Sequence, residues 1–334
     1  MRDRPAPHPQ HTLTPIRAPT DAAHPAVTLL PHESCRMSAS TFRQPPLLPW
    51  LLTTLGRLPL RWLQALGRLA GTLARLLGTR EATVARRNLE LCLPELDAGN
   101  RAGLRREALA ATAQTALECA RLWTRPAAEN LALVRRVHGG ELLDAALAAP
   151  AGVLIAAPHL GNWELLNQFL ASRTPLTIVY RAPKRVALEG LLRRGRGVPG
   201  VTQVRAEAAA VRVLLRTLQQ RGAVGILPDQ QPKAGEGVFA PFFGVPAFTM
   251  TLLPRLAQRT GATVLFAFAE RLPRAAGFDI HVLPAPTGIH DPDPVRAATA
   301  LNAGVEACAR AAPAQYQWTY KRFSMRPGTE APRY

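Results

Sequence analysis

Serine is scarce in this chain. The five serines, at 34, 38, 40, 172 and 324, are scattered, and none stands in the G-x-S-x-G elbow that presents a nucleophilic hydroxyl, which disfavours a serine hydrolase. Cys35, Cys92, Cys119 and Cys308 lie far apart, without a C-x-x-C pair or a histidine at ligand spacing. Neither a zinc site nor a disulfide framework is indicated, and a reducing, cytoplasm-facing setting fits. The first apolar segment offers no spanning run: it begins near Leu47, and its longest charge-free stretch, from Gln44 to Gly56, falls short of the ~20 residues of a membrane-spanning helix. Residues 1–36 lack the apolar run and cleavage site of a secretory signal; rich in Pro, His, Ala and Thr, they are expected to be disordered, with Met37 a candidate start. Lysine is confined to Lys184, Lys233 and Lys321, so the formal charge of +18 is carried almost wholly by arginine. That charge suits nucleic acid, acidic proteins or an anionic membrane, and does not choose among them.

What is present is enough apolar material for a full core: 334 residues, 47% hydrophobic, fit one catalytic domain with a helical appendage. From Pro59 to Gly78 the chain reads as a helix, with proline near its first turn and glycine at its end. Arg61, Arg68 and Arg75 recur every seven residues, and because seven residues fall only ~20° short of two turns they form one stripe, which Arg57 joins. Leu63, Leu66, Leu69, Leu73, Leu76 and Leu77 fill much of the remaining surface, as in a helix lying at a membrane interface; the alternative is an amphipathic helix packed on the core. Residues 80–148 are expected to continue as helix, broken at Pro94 and Pro126. From Gly152 onward, short apolar runs (Val153 to Ala157, Leu176 to Tyr180, Ala223 to Leu227, Ala262 to Ala269) alternate with helical stretches. The expected fold is thus α/β, a largely parallel central sheet flanked by helices, preceded by a helical membrane-associating segment. The expected divisions are an extension over 1–45, the helical region over 46–148, the α/β core over 149–326 and a tail over 327–334.

The residues able to carry chemistry concentrate in Ala157-Pro158-His159-Leu160-Gly161-Asn162-Trp163-Glu164, directly after the first strand candidate. Catalytic groups in α/β sheets collect at the carboxyl ends of strands. Gly161 and Asn162 suit a tight turn into a helix whose first turn holds Glu164, so a carboxylate could bond one imidazole nitrogen and leave the other to take a proton from a hydroxyl. The amides of that helix start could receive an oxyanion. Taken alone, a structural histidine is as good a reading. Val238 to Phe248 carries four phenylalanines yet is too broken by proline and glycine for a regular element, and reads as an acyl-chain slot or ordinary core. Gly195, Gly197 and Gly200 match G-x-G-x-x-G without the preceding strand of a dinucleotide fold, and His290-Asp291-Pro292-Asp293 reads as a turn.

The order of His159 to Glu164, Tyr180-Arg181, Leu227-Pro228-Asp229-Gln230, Phe242-Phe243-Gly244-Val245-Pro246, and Tyr316-Gln317-Trp318 with Lys321-Arg322-Phe323 resembles that of the lipid A biosynthesis late acyltransferases, the lauroyl and myristoyl transferases of the lysophospholipid acyltransferase superfamily. Arg86 to Glu95 also looks like the family's run before its core, with Leu93 where Phe is usual. The likeness spans about residues 47–326. It implies secondary acylation of a glucosamine-based lipid from acyl carrier protein at the cytoplasmic face of the inner membrane, by a peripheral or monotopic enzyme. His159 is then the expected general base and Glu164 its orienter. Asn162, Arg181, Asp229 and Gln230 form the expected substrate-binding set, Arg181 gripping phosphate with Asp229 behind it. Arg193, Arg194, Arg196 and Arg205 make a basic patch suited to phosphates or an acidic carrier protein. No metal or redox cofactor is implied, because an acyl carrier protein or CoA thioester supplies the driving force; nor is nucleic acid expected as a partner. The alternatives are an acyltransferase acting on a phosphatidylinositol mannoside or lysophospholipid from acyl-CoA, and a noncatalytic membrane-binding protein of the same fold.

Overall fold

The structure, a computed structural model, describes residues 47–180, 186–328 and 333–334. The expectations for residues 1–36, Cys35, Met37 and Arg181 fall outside the described residues. Helices α1 (Leu47–Gly56), α2 (Leu60–Leu76), α3 (Arg80–Cys92), α4 (Ala98–Thr124) and α5 (Ala127–Leu131) lead into β1 (Val134–His138) and α6 (Gly140–Ala148). There follow β2 (Val153–Ala156), α7 (Trp163–Arg173), β3 (Leu176–Tyr180), α8 (Val186–Gly195), β4 (Val201–Arg205), α9 (Ala208–Gln219) and β5 (Ala223–Ile226). The chain then forms β6 (Gly237–Phe242), β7 (Val245–Met250), α10 (Leu252–Thr260), β8 (Thr263–Arg271), β9 (Phe278–Pro284) and α11 (Pro294–Ala311).

The main sheet has the order β1-β9-β8-β2-β5-β3-β4, and the β8-β2-β5-β3-β4 run is parallel throughout. β9 turns back antiparallel to β8, and β1 lies parallel to β9 at the edge. On one face, α6 and α7 bury Leu143, Leu166, Phe169 and Leu170 against Ile155, Ile178 and Leu265. On the other, α9, α10 and α11 bury Leu214, Leu218, Leu253, Leu256, Leu301 and Val305 against Leu154, Val224 and Phe266. Short runs buried on both faces are what a sheet covered by helices on each side requires. They match the expected strands to within two residues at each end.

Two elements differ from expectation. Residues 80–148 are not helical throughout, because Val134–His138 forms β1; as a largely exposed edge strand it lacks the apolar run that would mark it. The phenylalanine segment is a regular hairpin of β6 and β7, turned by Phe243 (φ +49) and Gly244 (φ +75). Its prolines are tolerated because Pro241 and Pro246 oppose each other one pair beyond the closing pair Phe242 and Val245, where the ladder places no inter-strand bond. Phe242 and Phe248 are buried as ordinary core.

α2 packs on the core by one side and exposes apolar side chains on the other. Leu60, Leu63, Gln64, Gly67 and Gly71 face the core, and the glycines let the helix seat on α4: a Cβ at Gly67 would lie 2.6 Å from the Gln114 Cα, and one at Gly71 2.6 Å from the Ala110 Cα. The opposite side exposes Trp62, Leu66, Leu69, Leu73 and Leu76, with Leu77 beyond it at 78% exposure and Trp50 of α1 at 64%. Arg57, Arg61 and Arg68 are exposed along one flank; Arg75 is half-buried. Among the described residues no helix is long and apolar enough to cross a membrane.

Candidate active site

β2 and β5 are neighbours in parallel register, with Ala156 opposite Ile226. His159 and Asp229 each lie three residues past those partners, so the sheet delivers both to one edge. Asp229 Oδ1 accepts from His159 Nδ1 at 2.8 Å, and Oδ2 accepts from the His159 backbone N–H at 2.9 Å. Holding ring and backbone together fixes the imidazole's orientation. Burial alone would raise the Asp229 carboxyl pKa; the charge of a protonated His159 and the two hydrogen bonds outweigh it and hold the carboxyl below its ordinary range. The buried phenol of Tyr316 lies beside Asp229; burial, then the Asp229 charge, push its pKa well up. Only a cavity of about 10 Å³, room for one water at most, remains between Asp229, Gln230, Tyr316 and Arg322.

With Nδ1 engaged, Nε2 is the nitrogen left for chemistry. Gln230 Nε2 lies 3.3 Å from it and donates to Gln317 Oε1 at 3.2 Å. The Trp163 ring stands edge-on at 5.0 Å. The His159 side chain is 15% exposed while Asp229 is sealed behind it. A buried carboxylate holds the imidazole through Nδ1 and leaves Nε2 to the Gln230 amide, an arrangement that can serve as a general base and its orienter once that amide moves aside.

The carboxylate expected in that role, Glu164, is engaged elsewhere. It sits in the first turn of α7 at 3% exposure and accepts from Arg196 Nε at 2.9 and 3.0 Å, with Arg196 Nη2 completing a bidentate pair. Burial opposes the Arg196 charge, but Glu164 overrides it and raises the guanidinium pKa. The helix start turns Glu164 away from the imidazole, and the equal offset of two paired strands brings Asp229 in. Both oxygens of Asp229 accept from His159, and the brace it was expected to give Arg181 lies outside the described residues.

Asn162, expected to touch substrate, has no exposed surface. It caps α7, its Oδ1 accepting from the Leu165 N–H at 3.1 Å and its Nδ2 donating to Glu118 Oε2 at 2.8 Å. Nor are the first amides of the turn open to an oxyanion: Gly161 N–H donates to Gln315 O and Asn162 N–H to Ala269 O. Gly161, at φ +59, is required here, because a Cβ would lie 1.9 Å from the Ala269 carbonyl oxygen. Of the basic patch, Arg205 is paired with Glu189, while Arg193 and Arg194 are exposed. Glu118 and Arg271, which stand in none of the quoted motifs, emerge only from the packing, as does the pairing of Arg196 with Glu164.

A sequence profile of the family described as bacterial lipid A biosynthesis acyltransferase matches residues 47–325. The lipid A biosynthesis palmitoleoyltransferase of Escherichia coli (strain K12) is 29% identical over 290 residues, covering 83% of this chain and 90% of that protein. The lauroyltransferase of the same strain is 27% identical over 286 residues, 85% of this chain and 92% of its own. A phosphatidylinositol mannoside acyltransferase of Mycobacterium tuberculosis (strain CDC 1551 / Oshkosh) is 30% identical over 151 residues, covering 44% of this chain and 48% of that protein.

Proposed function

This chain belongs to the bacterial lipid A biosynthesis acyltransferase family, and from that premise we propose that it moves a fatty acyl group from an acyl carrier protein thioester to a hydroxyl of a lipid A precursor. The transfer occurs at the cytoplasmic face of the inner membrane. The observation that carries the mechanism is the His159 ring, held through Nδ1 by Asp229 with Nε2 turned to the Gln230 side-chain amide. His159 Nε2 takes the acceptor hydroxyl proton as that oxygen attacks the thioester carbonyl; the C–O bond forms, the tetrahedral intermediate collapses, the C–S bond breaks, and the imidazolium returns its proton to the thiolate. Asp229 stabilises the imidazolium throughout. Gln230 stands where the acceptor hydroxyl must come, so its amide moves aside to donate to the substrate. Arg181, one residue past β3 in the same run of parallel strands, grips the acceptor's phosphate, and Arg181→Ala should impair use of that acceptor more than Arg181→Lys, because lysine keeps the charge but loses the fork. Equal rates in the two variants, measured against acceptor concentration, would remove Arg181 from the clamp.

The exposed apolar side of α2, with Arg57, Arg61 and Arg68 along its flank, supports docking on an anionic bilayer in which leucines enter the acyl region and arginines meet phosphates. Each arginine near an anionic surface contributes on the order of 1 kcal/mol. Replacing 57, 61, 68 and 75 by Gln should therefore release the protein from anionic vesicles already at low salt, where the wild type sediments with them and weakens as salt rises. Retention of both wild type and variant at high salt would point to a spanning anchor instead.

The function as a whole is tested by mass spectrometry of total glycolipids with and without the gene. Loss of the gene should lower lipid A mass by one acyl chain and leave phospholipids unchanged. A loss confined to another lipid class would transfer the activity to that acceptor.

A further inference from the structure

We propose that Glu118 is a positioning residue: its carboxylate holds the turn that carries His159 and ties that turn to the exposed helix α2. Glu118 is 1% exposed within the long helix α4, and the proton transfers assigned to the site use neither it nor its partners. Its Oε1 accepts from Gln64 Nε2 at 2.9 Å and Arg271 Nε at 2.6 Å; its Oε2 accepts from Asn162 Nδ2 at 2.8 Å and Arg271 Nη2 at 2.7 Å. One carboxylate thus joins the core face of α2, the cap of α7 and the carboxyl end of β8.

The same assembly grips the glycine beside that cap. Arg271 Nη2 donates to Thr115 Oγ1 at 2.6 Å, and Thr115 Oγ1 donates to the Gly161 carbonyl at 2.9 Å. Gln315 exchanges side-chain bonds with the Arg271 backbone at 2.8 and 2.9 Å, and its own carbonyl accepts from the Gly161 N–H at 3.1 Å. Gly161 and Asn162 are therefore held from α4, β8 and the segment before Tyr316, two and three residues from His159.

A buried ion pair is a poor way to gain stability, since apolar side chains of similar volume often do as well or better. Here the pair is surrounded by donors and acceptors whose shared target is one backbone turn, and even so Arg271 Nη1 finds no partner among the described residues. The arrangement defines a location. Gln64 gives that location a second reference, because it lies on the α4-facing side of the helix whose other side exposes Trp62, Leu66, Leu69 and Leu73. The seat of the exposed apolar helix and the place of the base are thereby fixed by one group. A displacement of ~1 Å at a reacting group costs on the order of 100-fold in rate.

This inference rests on His159 being the base, so His159→Ala is measured alongside. In the full-length protein, with acceptor in anionic vesicles, Glu118→Gln should lower kcat roughly 30- to 100-fold with KM within about twofold, at a temperature where melting shows the variant folded. Gln64→Leu keeps the volume on α4 and removes only the amide link; it should lower kcat about 3- to 10-fold with KM and vesicle binding unchanged. Should Glu118→Gln fail to fold, Gln64→Leu decides the matter. Wild-type kcat in a folded Glu118→Gln or in Gln64→Leu, with only the melting midpoint lowered, would mean the network is structural and overturn the proposal. Activity surviving in His159→Ala would instead sink the assignment of the base.

Discussion

Asp229→Asn is expected to lower kcat about 10³- to 10⁴-fold, the scale of loss when the carboxylate of a serine protease triad is replaced by its amide. Asparagine keeps the volume in a pocket with room for one water at most, so the fold should persist. What changes is the imidazole: an amide no longer neutralises the cation that forms, and it tolerates the tautomer with the proton on Nε2, where a base needs a lone pair. His159→Ala should lose at least as much, and the double variant little more than the worse single, because the two groups act as a unit. Single-turnover transfer followed by mass spectrometry measures all three. An Asp229→Asn enzyme that keeps a tenth of wild-type kcat would return the orienting role to another group.

Glu164→Ala should differ in kind. It leaves Arg196 largely buried and unpaired, and breaking one side of a buried pair costs about 3–5 kcal/mol, so the main loss should be stability, read as a lower thermal midpoint. Changing Arg196 to Met in the same protein should recover most of it, since no charge is then stranded. Loss of rate follows only as far as the first turn of α7 is disturbed. The local motif alone couples Glu164 to His159; the observed bonding instead couples Glu164 to Arg196. A Glu164→Ala variant with wild-type stability and almost no transfer would show that the carboxylate acts on the chemistry after all.

The difference between these two carboxylates marks where sequence stops being informative. That His159 follows a strand is legible, because Val153 to Ala157 is an apolar run bounded by glycine and proline. That Asp229 follows another is legible for the same reason. Their meeting depends on β2 and β5 being adjacent, although β3 and β4 intervene in the chain, and no local pattern encodes strand order. Given the register of Ala156 on Ile226, the equal offset of three residues makes the contact almost inevitable. Glu164 looked closer only because it is closer in sequence. Glu118 and Arg271 were hidden differently: a glutamate inside a long helix and an arginine ending a strand ordinarily read as solvated, and only the packing of α2 and α4 over the strand ends buries them. α2 itself was readable as amphipathic, but not as having two apolar sides, since the small residues that seat it on α4 carry little hydrophobic signal.

The most direct test of the account uses purified full-length protein, an acyl carrier protein thioester and an under-acylated lipid A precursor in anionic vesicles, with the acceptor mass followed in time. The wild type should add one acyl chain and release the carrier thiol in equal amount, while His159→Ala, folded and vesicle-bound, adds none. A His159→Ala protein that acylates the acceptor at the wild-type rate would contradict the account.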